Sequence, residues 1–385
     1  MPLSLDRPVW AVRLQFFVSG FLFATWGVHV PTVRAHYALD EQTLALTMLA
    51  AGVGALGGLA FAGRWVGRWG PQRVALLTGV VAALSLTLLL ASHAWPLLLA
   101  TMMVFGAAGS VYDVAMNAGG SALEHASGQR LMSRFHALFS FGGMAGAAFG
   151  SLLLRLQAEP ALHLAATGTA ALLALWWATR PTLPVTPPDA HAAADSRSFG
   201  ARGRGVLWAL GALAAIGLVA EGAMYDWSVL YMQRELGSAP ALAALAYASF
   251  SVAMGLARLG GDWARARWPA HSLMTASALL SAAGMAVALL GRHPALALAC
   301  FALVGLGLAN VIPVLFAAAS RVPGVPAANG IAAVSSMGYL GFMAGPPVIG
   351  FIAQHLSLTA GLATVVVFSL LLALSGARAL RPQRA

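Results

Sequence analysis

The stretch "WPLLLATMMVFGAAGSVYDVAMNAGG", Trp95–Gly120, decides the fold. As a helix rising 1.5 Å per residue it is long enough to cross a hydrocarbon layer about 30 Å thick. Its one charged side chain is Asp113, and Asn117 follows one turn later on the same face. A charge inside hydrocarbon costs at least about 2.5 kcal/mol, so the carboxylate needs a partner or a task. A ligand, a proton and a structural hydrogen bond each account for the pair.

The rest of the chain repeats this pattern. Of 385 residues, 59% are hydrophobic and only 9% charged, against about 25% charged in an ordinary soluble domain. Such a surface does not suit water. Forty-two glycines and abundant alanine suit helices that approach closely in lipid. There is no lysine; the net charge of +10 rests on 22 arginines scattered through short loops. That scatter argues against nucleic acid, which selects a basic face. The single cysteine, Cys300, permits no internal disulfide.

Twelve apolar runs are spaced along the chain, near 10–31, 43–63, 74–92, 95–120, 133–154, 161–179, 206–232, 241–260, 270–290, 294–318, 328–352 and 356–376. The first ends in "VHVP" without a small-residue cleavage pattern and is followed by further spans, so it is expected to remain as a helix. "PTVR", Pro31–Arg34, is expected to end it. With both termini cytoplasmic, 18 arginines fall inside and four outside (Arg34, Arg155, Arg234 and Arg292). The bias orients the chain in a bacterial inner membrane. Residues 180–205, rich in proline, alanine and charge, read as a cytoplasmic linker between six-span halves at 1–179 and 206–385.

The halves echo each other. "MAG" at Met144–Gly146 recurs 199 residues on at Met343–Gly345, and Trp26 is matched by Trp227 after 201 residues. Duplication places a working site between the halves.

The loop after span two reads "GRWVGRWGPQR", Gly63–Arg73, and the matching loop of the second half reads "GLARLGGDWARARW". With the twelve spans and the central linker, the chain resembles the major facilitator superfamily of secondary transporters. Gly63, Arg68, Gly70 and Arg73 match that family's cytoplasmic pattern; Gly67 replaces its aspartate, whereas the second half keeps Asp262. More narrowly, "FFVSGFLFATWGVHVP", "YDVAMN" and "EGAMYDWS" resemble a bacterial YbjJ-like branch distantly similar to fucose and other sugar permeases. The resemblance implies an all-α membrane protein with two pseudo-symmetric six-helix bundles, alternating access, and a membrane carboxylate carrying a coupled proton.

Glu221 lies 15 residues into span seven, about mid-membrane, with no arginine or histidine within a turn in sequence. Those surroundings nominate it for proton coupling, ahead of Asp113, with an interhelical hydrogen bond to a group from another helix as the alternative. The competing reading makes Asp113 a structural partner of Arg13 or Arg134. Asp226, five residues past Glu221, is rotated about 140° from it, and so serves an outer gate or pairs with Arg34 or Arg234. Trp26 and Trp227 can stack on a sugar ring. Tyr112, Asn117, Tyr225, Asn310, Asn329, Tyr339 and Gln15 offer a polar lining, with packing the alternative for each. Arg64, Arg68, Arg73 and Asp262 read as gating or structural charges, and His29 and His136 as helix-packing histidines.

No His/Cys/Asp/Glu spacing assembles a metal site, and "GVGALGG" lacks a phosphate-loop lysine, so neither metal, cofactor nor ATP-driven pumping is expected. The leading expectation is a monomeric carrier taking up a small polar, sugar-like solute with protons. Export of small or amphipathic compounds and facilitated diffusion are the alternatives. The glycine–proline run "GFMAGPPVIG" stands in span eleven, not span five, which weakens export.

Overall fold

The computed structural model describes residues 6–127, 131–178, 201–325 and 327–380. Among these, every regular element is helical. The first half runs α1 (Asp6–His36), α2 (Glu41–Trp69), α3 (Pro71–Thr87), α4 (Trp95–Ser127), α5 (Met132–Arg155) and α6 (Pro160–Ala178). The second runs α7 (Ala201–Arg234), α8 (Pro240–Arg267), α9 (Ala270–Gly291), α10 (Pro294–Leu308), α11 (Val311–Ala319), α12 (Ala327–His355) and α13 (Leu358–Leu371). A π-helical turn, Leu372–Gly376, and α14 (Ala377–Ala379) follow. Eleven segments are long and apolar enough to span a membrane, with α10 and α11 forming one, and Pro71–Thr87 is a shorter twelfth.

Three local expectations change. Helix α1 continues through Pro31 to His36. Proline removes one donor but keeps a helical φ, and the helix end is held where His36 bonds the Ser92 carbonyl at 2.8 Å and the Tyr37 hydroxyl donates to Leu89 O at 2.9 Å. Span ten breaks at Ala309–Asn310, because Pro313 cannot bond the Ala309 carbonyl and its ring crowds that group. Residues 201–205, expected as linker, already belong to α7; 179–200 lie outside the described residues.

The packing bears out the repeat. In the first half α1 packs on α5 and α6, α2 on α4, and α3 on α4 and α6. In the second, α7 packs on α12 and α13, α8 on α10, and α9 on α10 and α13. Exchanging α1 for α7, α2 for α8, α5 for α12 and so on turns one pattern into the other. The halves meet along a seam where α5 packs on α8, α2 on α12 and α1 on α7, again symmetric under the exchange.

Glycines make the tight crossings. A Cβ on Gly142 would collide with the Phe17 backbone on α1, and one on Gly106 with the Ala51 backbone on α2. Gly70, at φ 79°, ends α2 and starts α3, a conformation glycine adopts without strain. We call the end of the bundle that carries α1's start and α14 the terminal end, and the opposite end distal.

Candidate functional site

The seam is layered. At the distal end Glu41, the first residue of α2, takes Arg34 of α1 at 3.3 Å and Arg234 of α7. The second pair crosses between halves. Beside it, Gly350 of α12 lies where an added Cβ would meet Ala45, the Glu41 carbonyl and Trp227. Ser151 of α5 donates to the Ala241 carbonyl of α8 at 2.6 Å, also across the seam. Thus Arg34 and Arg234 hold Glu41, and of the two readings for Asp226, an outer gate or a pair with one of these arginines, the pairing is not made. The α1–α2 turn brings Glu41 back beside both helix ends, while Asp226 lies about 12 Å deeper along α7.

Deeper in, the wall is aromatic. Phe23 of α1 meets Tyr225 of α7 edge-on at 5.7 Å between centroids, and Tyr225 contacts Tyr247 and Phe250 of α8, each at 5.0 Å. Gly27 of α1 fits against Tyr247. Trp26 faces Asp226 across the seam, both buried. Among the described residues Asp226 has no ion pair. Trp227 is fully buried, and its ring N–H has no protein partner.

Below this layer Glu221 is not among neutral neighbours. Arg258 of α8 donates to its Oε1 at 3.2 Å, and to Ser140 Oγ of α5 at 3.3 Å. The guanidinium joins the halves and neutralises the acid, so isolation, the premise that favoured Glu221, is corrected. Arg258 belongs to "GLARLGGDWARARW", expected as a loop, yet it stands nine residues inside the end of α8. Its apolar flank, "MGLARLGG", was the available signal.

Among the described residues, Asp113 lies at the same seam with no cation bonded to it. Asn117 Nδ2 donates to its Oδ1 at 3.2 Å and its backbone oxygen at 2.9 Å, and the Tyr339 hydroxyl of α12 donates to Oδ2 at 3.4 Å. The expected partners are elsewhere: Arg13 stacks over the Trp10 ring at 4.7 Å and Arg134 is exposed on α5. Neutral donors from two helices hold this carboxylate.

Other expectations separate in the same way. The Tyr112 hydroxyl donates to the Gln15 carbonyl at 2.8 Å, tying α4 to α1 inside the first half. Gln15 itself is buried with its Nε2 unpartnered. Asn310 sits at the α10–α11 break beside Gly261 of α8, within the second half. Arg64, Arg68 and Arg73 are exposed around the α2–α3 turn, with Arg64 over the Phe61 ring. The Asn329 and Asp262 side chains lie outside the described residues. His29 pairs with His163 at 2.7 Å, and His136 packs edge-on to Phe16, both as packing histidines.

The helix order, the swapped packing and the polar seam define a two-bundle membrane carrier, and the chain belongs to the major facilitator superfamily, whose model matches residues 14–324 and 222–385. That is a family of transporters, not enzymes. An uncharacterised MFS-type transporter of Yersinia pestis is 36% identical over 365 residues, 95% of this chain and 94% of that protein. The crystal structure of a D-xylose–proton symporter superposes with a TM-score of 0.78 at 15% identity, covering 96% and 97% of the two chains. A bacterial homologue of the human lysosomal transporter Spinster, inward-facing and occupied, gives 0.76 at 15% identity over 96% of each.

Proposed function

We propose that the chain is a proton-coupled carrier that takes up a small polar, sugar-like solute by alternating access. In this reading the terminal end faces the cytoplasm of a bacterial inner membrane, as the arginine bias requires. Residues 1–179 and 206–385 rock as two bodies, with 201–205 moving as part of α7, and a monomer suffices.

The observation that carries the proposal is a carboxylate at the seam that, among the described residues, has no cation as partner. Asp113 is held by Asn117 from its own helix and Tyr339 from the other half. A carboxylate with only neutral donors can take up a proton without stranding a buried cation, which Glu221 cannot do while Arg258 depends on it. Asp113 therefore becomes the first choice for the coupled proton, Asp226 the second, and Glu221 a charge partner that holds α8 to α7. Trp26, Tyr225, Asn117 and Tyr339 supply apolar ring faces and hydroxyl or amide groups suited to a sugar. The likeness to a D-xylose–proton symporter supports this substrate class.

The experiment is uptake into proteoliposomes under an imposed pH gradient, screening sugars, nucleosides, amino acids and hydrophobic cations. Concentrative uptake of a sugar-like solute, abolished in Asp113→Asn with counterflow exchange retained, is the expected result. Uptake indifferent to the gradient makes the protein a facilitator; extrusion of amphipathic compounds makes it an exporter.

A further inference from the structure

The charges in the middle of the seam do not balance. Among the described residues, the one cation bonded to Asp113, Glu221 or Asp226 is Arg258, on Glu221. With the coupled proton assigned to Asp113, on which this inference rests, Asp226 is left over. The chain has no lysine, and the helices that pack on α7 are α1, α8, α10, α11, α12 and α13. No arginine occurs in α10, α11, α12 or α13, α8 has none before Arg258, and α1 has none between Arg13 and Arg34. Arg34 and Arg234 are held on Glu41, about 12 Å from Asp226 along the helices. His29, the titratable group of α1 nearest this layer in sequence, bonds His163 inside the first half. Among the described residues, then, no side chain brings a positive charge to Asp226.

The layer around it suits a cation from outside the chain. Trp26 faces the carboxylate, Tyr247 lies within electrostatic reach of it, and Phe23 and Tyr225 close the wall. Aromatic faces are negative and attract ammonium groups, most strongly where water is excluded. In the same turn of α7, Trp227 Nε1 and Ser228 Oγ are fully buried without a protein partner, so hydrogen-bonding groups stand unused beside the acid. A neutral sugar would donate hydroxyls to the carboxylate and leave its charge uncompensated in a low-dielectric layer. A second proton would cancel the charge without using the rings. A protonated amine does both. We infer that the solute is a small polyol or sugar carrying one protonated amino group, with Asp226 as its counter-ion and Trp26 and Tyr247 as its aromatic flank.

The test is equilibrium dialysis of the detergent-purified full chain against radiolabelled hexoses, with no pH gradient. Matched probes are glucosamine, galactosamine and mannosamine, each beside its neutral hexose and its N-acetyl derivative, at about pH 6.5, where the amines are protonated. At least one amine should bind about tenfold or more tighter than both neutral partners, the scale of a charge-assisted hydrogen bond. Asp226→Asn should bring that preference to about twofold or less. If this variant does not fold, the N-acetyl comparison in the parent carries the test, because acetylation removes the charge and keeps the nitrogen. No amine preference in any set, absence of binding included, overturns the inference, and so does a preference that survives Asp226→Asn. Proton-driven uptake of a neutral hexose with no amine preference sinks the inference alone. An amine preference lost in Asp226→Asn, with uptake indifferent to the pH gradient, upholds it and removes the proton coupling instead.

Discussion

Replacing Glu221 by glutamine separates its two possible tasks. The Glu221 and Arg258 side chains are 11% and 18% exposed, and 3.2 Å apart. Water therefore screens the pair little, and removing the acid alone leaves the guanidinium with only the neutral Ser140 oxygen at 3.3 Å among these contacts. Breaking a buried pair from one side costs about 3–5 kcal/mol, whereas replacing both members is often close to neutral. An exposed pair would give no more than about 1 kcal/mol. Glu221→Gln and Arg258→Gln should each destabilise by about 3 kcal/mol or more, and the double variant by at least about 2 kcal/mol less than their sum. Graded detergent denaturation in mixed micelles reads all four corners of the cycle. Two single variants within about 1 kcal/mol of the parent, and additive, would refute the pairing argument. That outcome would restore Glu221 as the leading proton carrier, and the loss of pH-driven uptake in Glu221→Gln would then be the decisive measurement.

Tyr339→Phe removes the donor that reaches Asp113 across the seam; it should slow pH-driven uptake in proteoliposomes severalfold while leaving counterflow exchange measurable. Glu41→Gln loosens the distal contact to Arg234, whose side chain is 44% exposed. Because solvent screens that pair, distal opening should rise by no more than about fivefold, read as faster labelling of a cysteine at Ser151. Gly142→Ala drives a methyl into the Phe17 backbone and should cost about 1–3 kcal/mol, whereas Gly57→Ala, with nothing within 4 Å, should be tolerated on the same denaturation scale. Hydrogen bonds from Thr43 hold the Asp40 carboxyl below its ordinary range at the α2 N-terminus. A depressed folded-state value means this cap stabilises above the unfolded-state pKa and fades as pH falls through the folded one. Asp40→Asn keeps the cap and should flatten stability against pH in that acidic window.

The span count, the duplication and the polar residues of α4 and α7 were legible because hydrocarbon imposes one rule on every segment: apolar, long and helical. Trp26, Asp113, Tyr225 and Tyr339 could be singled out one at a time for the same reason. What the sequence does not carry is which helix faces which. Arg258 reaches Glu221 from 37 positions away, and Tyr339 reaches Asp113 from 226. Both partnerships depend on the packing of α8 on α7 and of α12 on α2. A charge near a predicted span end also looks like a loop charge, as Arg258 does in sequence. Likewise Pro31 reads as a terminator until His36 and Tyr37 are seen to anchor the turn beyond it.

The order of contacts along the seam suggests how a proton could set the direction of rocking in the proposed cycle. Opening the distal end must separate Glu41 from Arg234 and Ser151 from Ala241, an ion pair and a hydrogen bond to a backbone carbonyl. Parting α4 from α12 must separate Asp113 from Tyr339. An ionised Asp113 accepts the tyrosine hydroxyl through a charged oxygen, and such bonds are roughly twice as strong as neutral ones. Protonating it leaves a weaker neutral acceptor and adds a competing donor, so the same event that loads the proton loosens the bond between the halves. The coupling therefore needs no conformational signal carried from afar: the proton site is itself one of the contacts that rocking must break. Crosslinking cysteines at Val114 and Leu340, beside the two partners, should show the separation growing as pH falls in the parent and staying constant in Asp113→Asn. A pH-dependent change that persists unchanged in Asp113→Asn would place the titrating contact elsewhere on the seam, with Asp226 next in line.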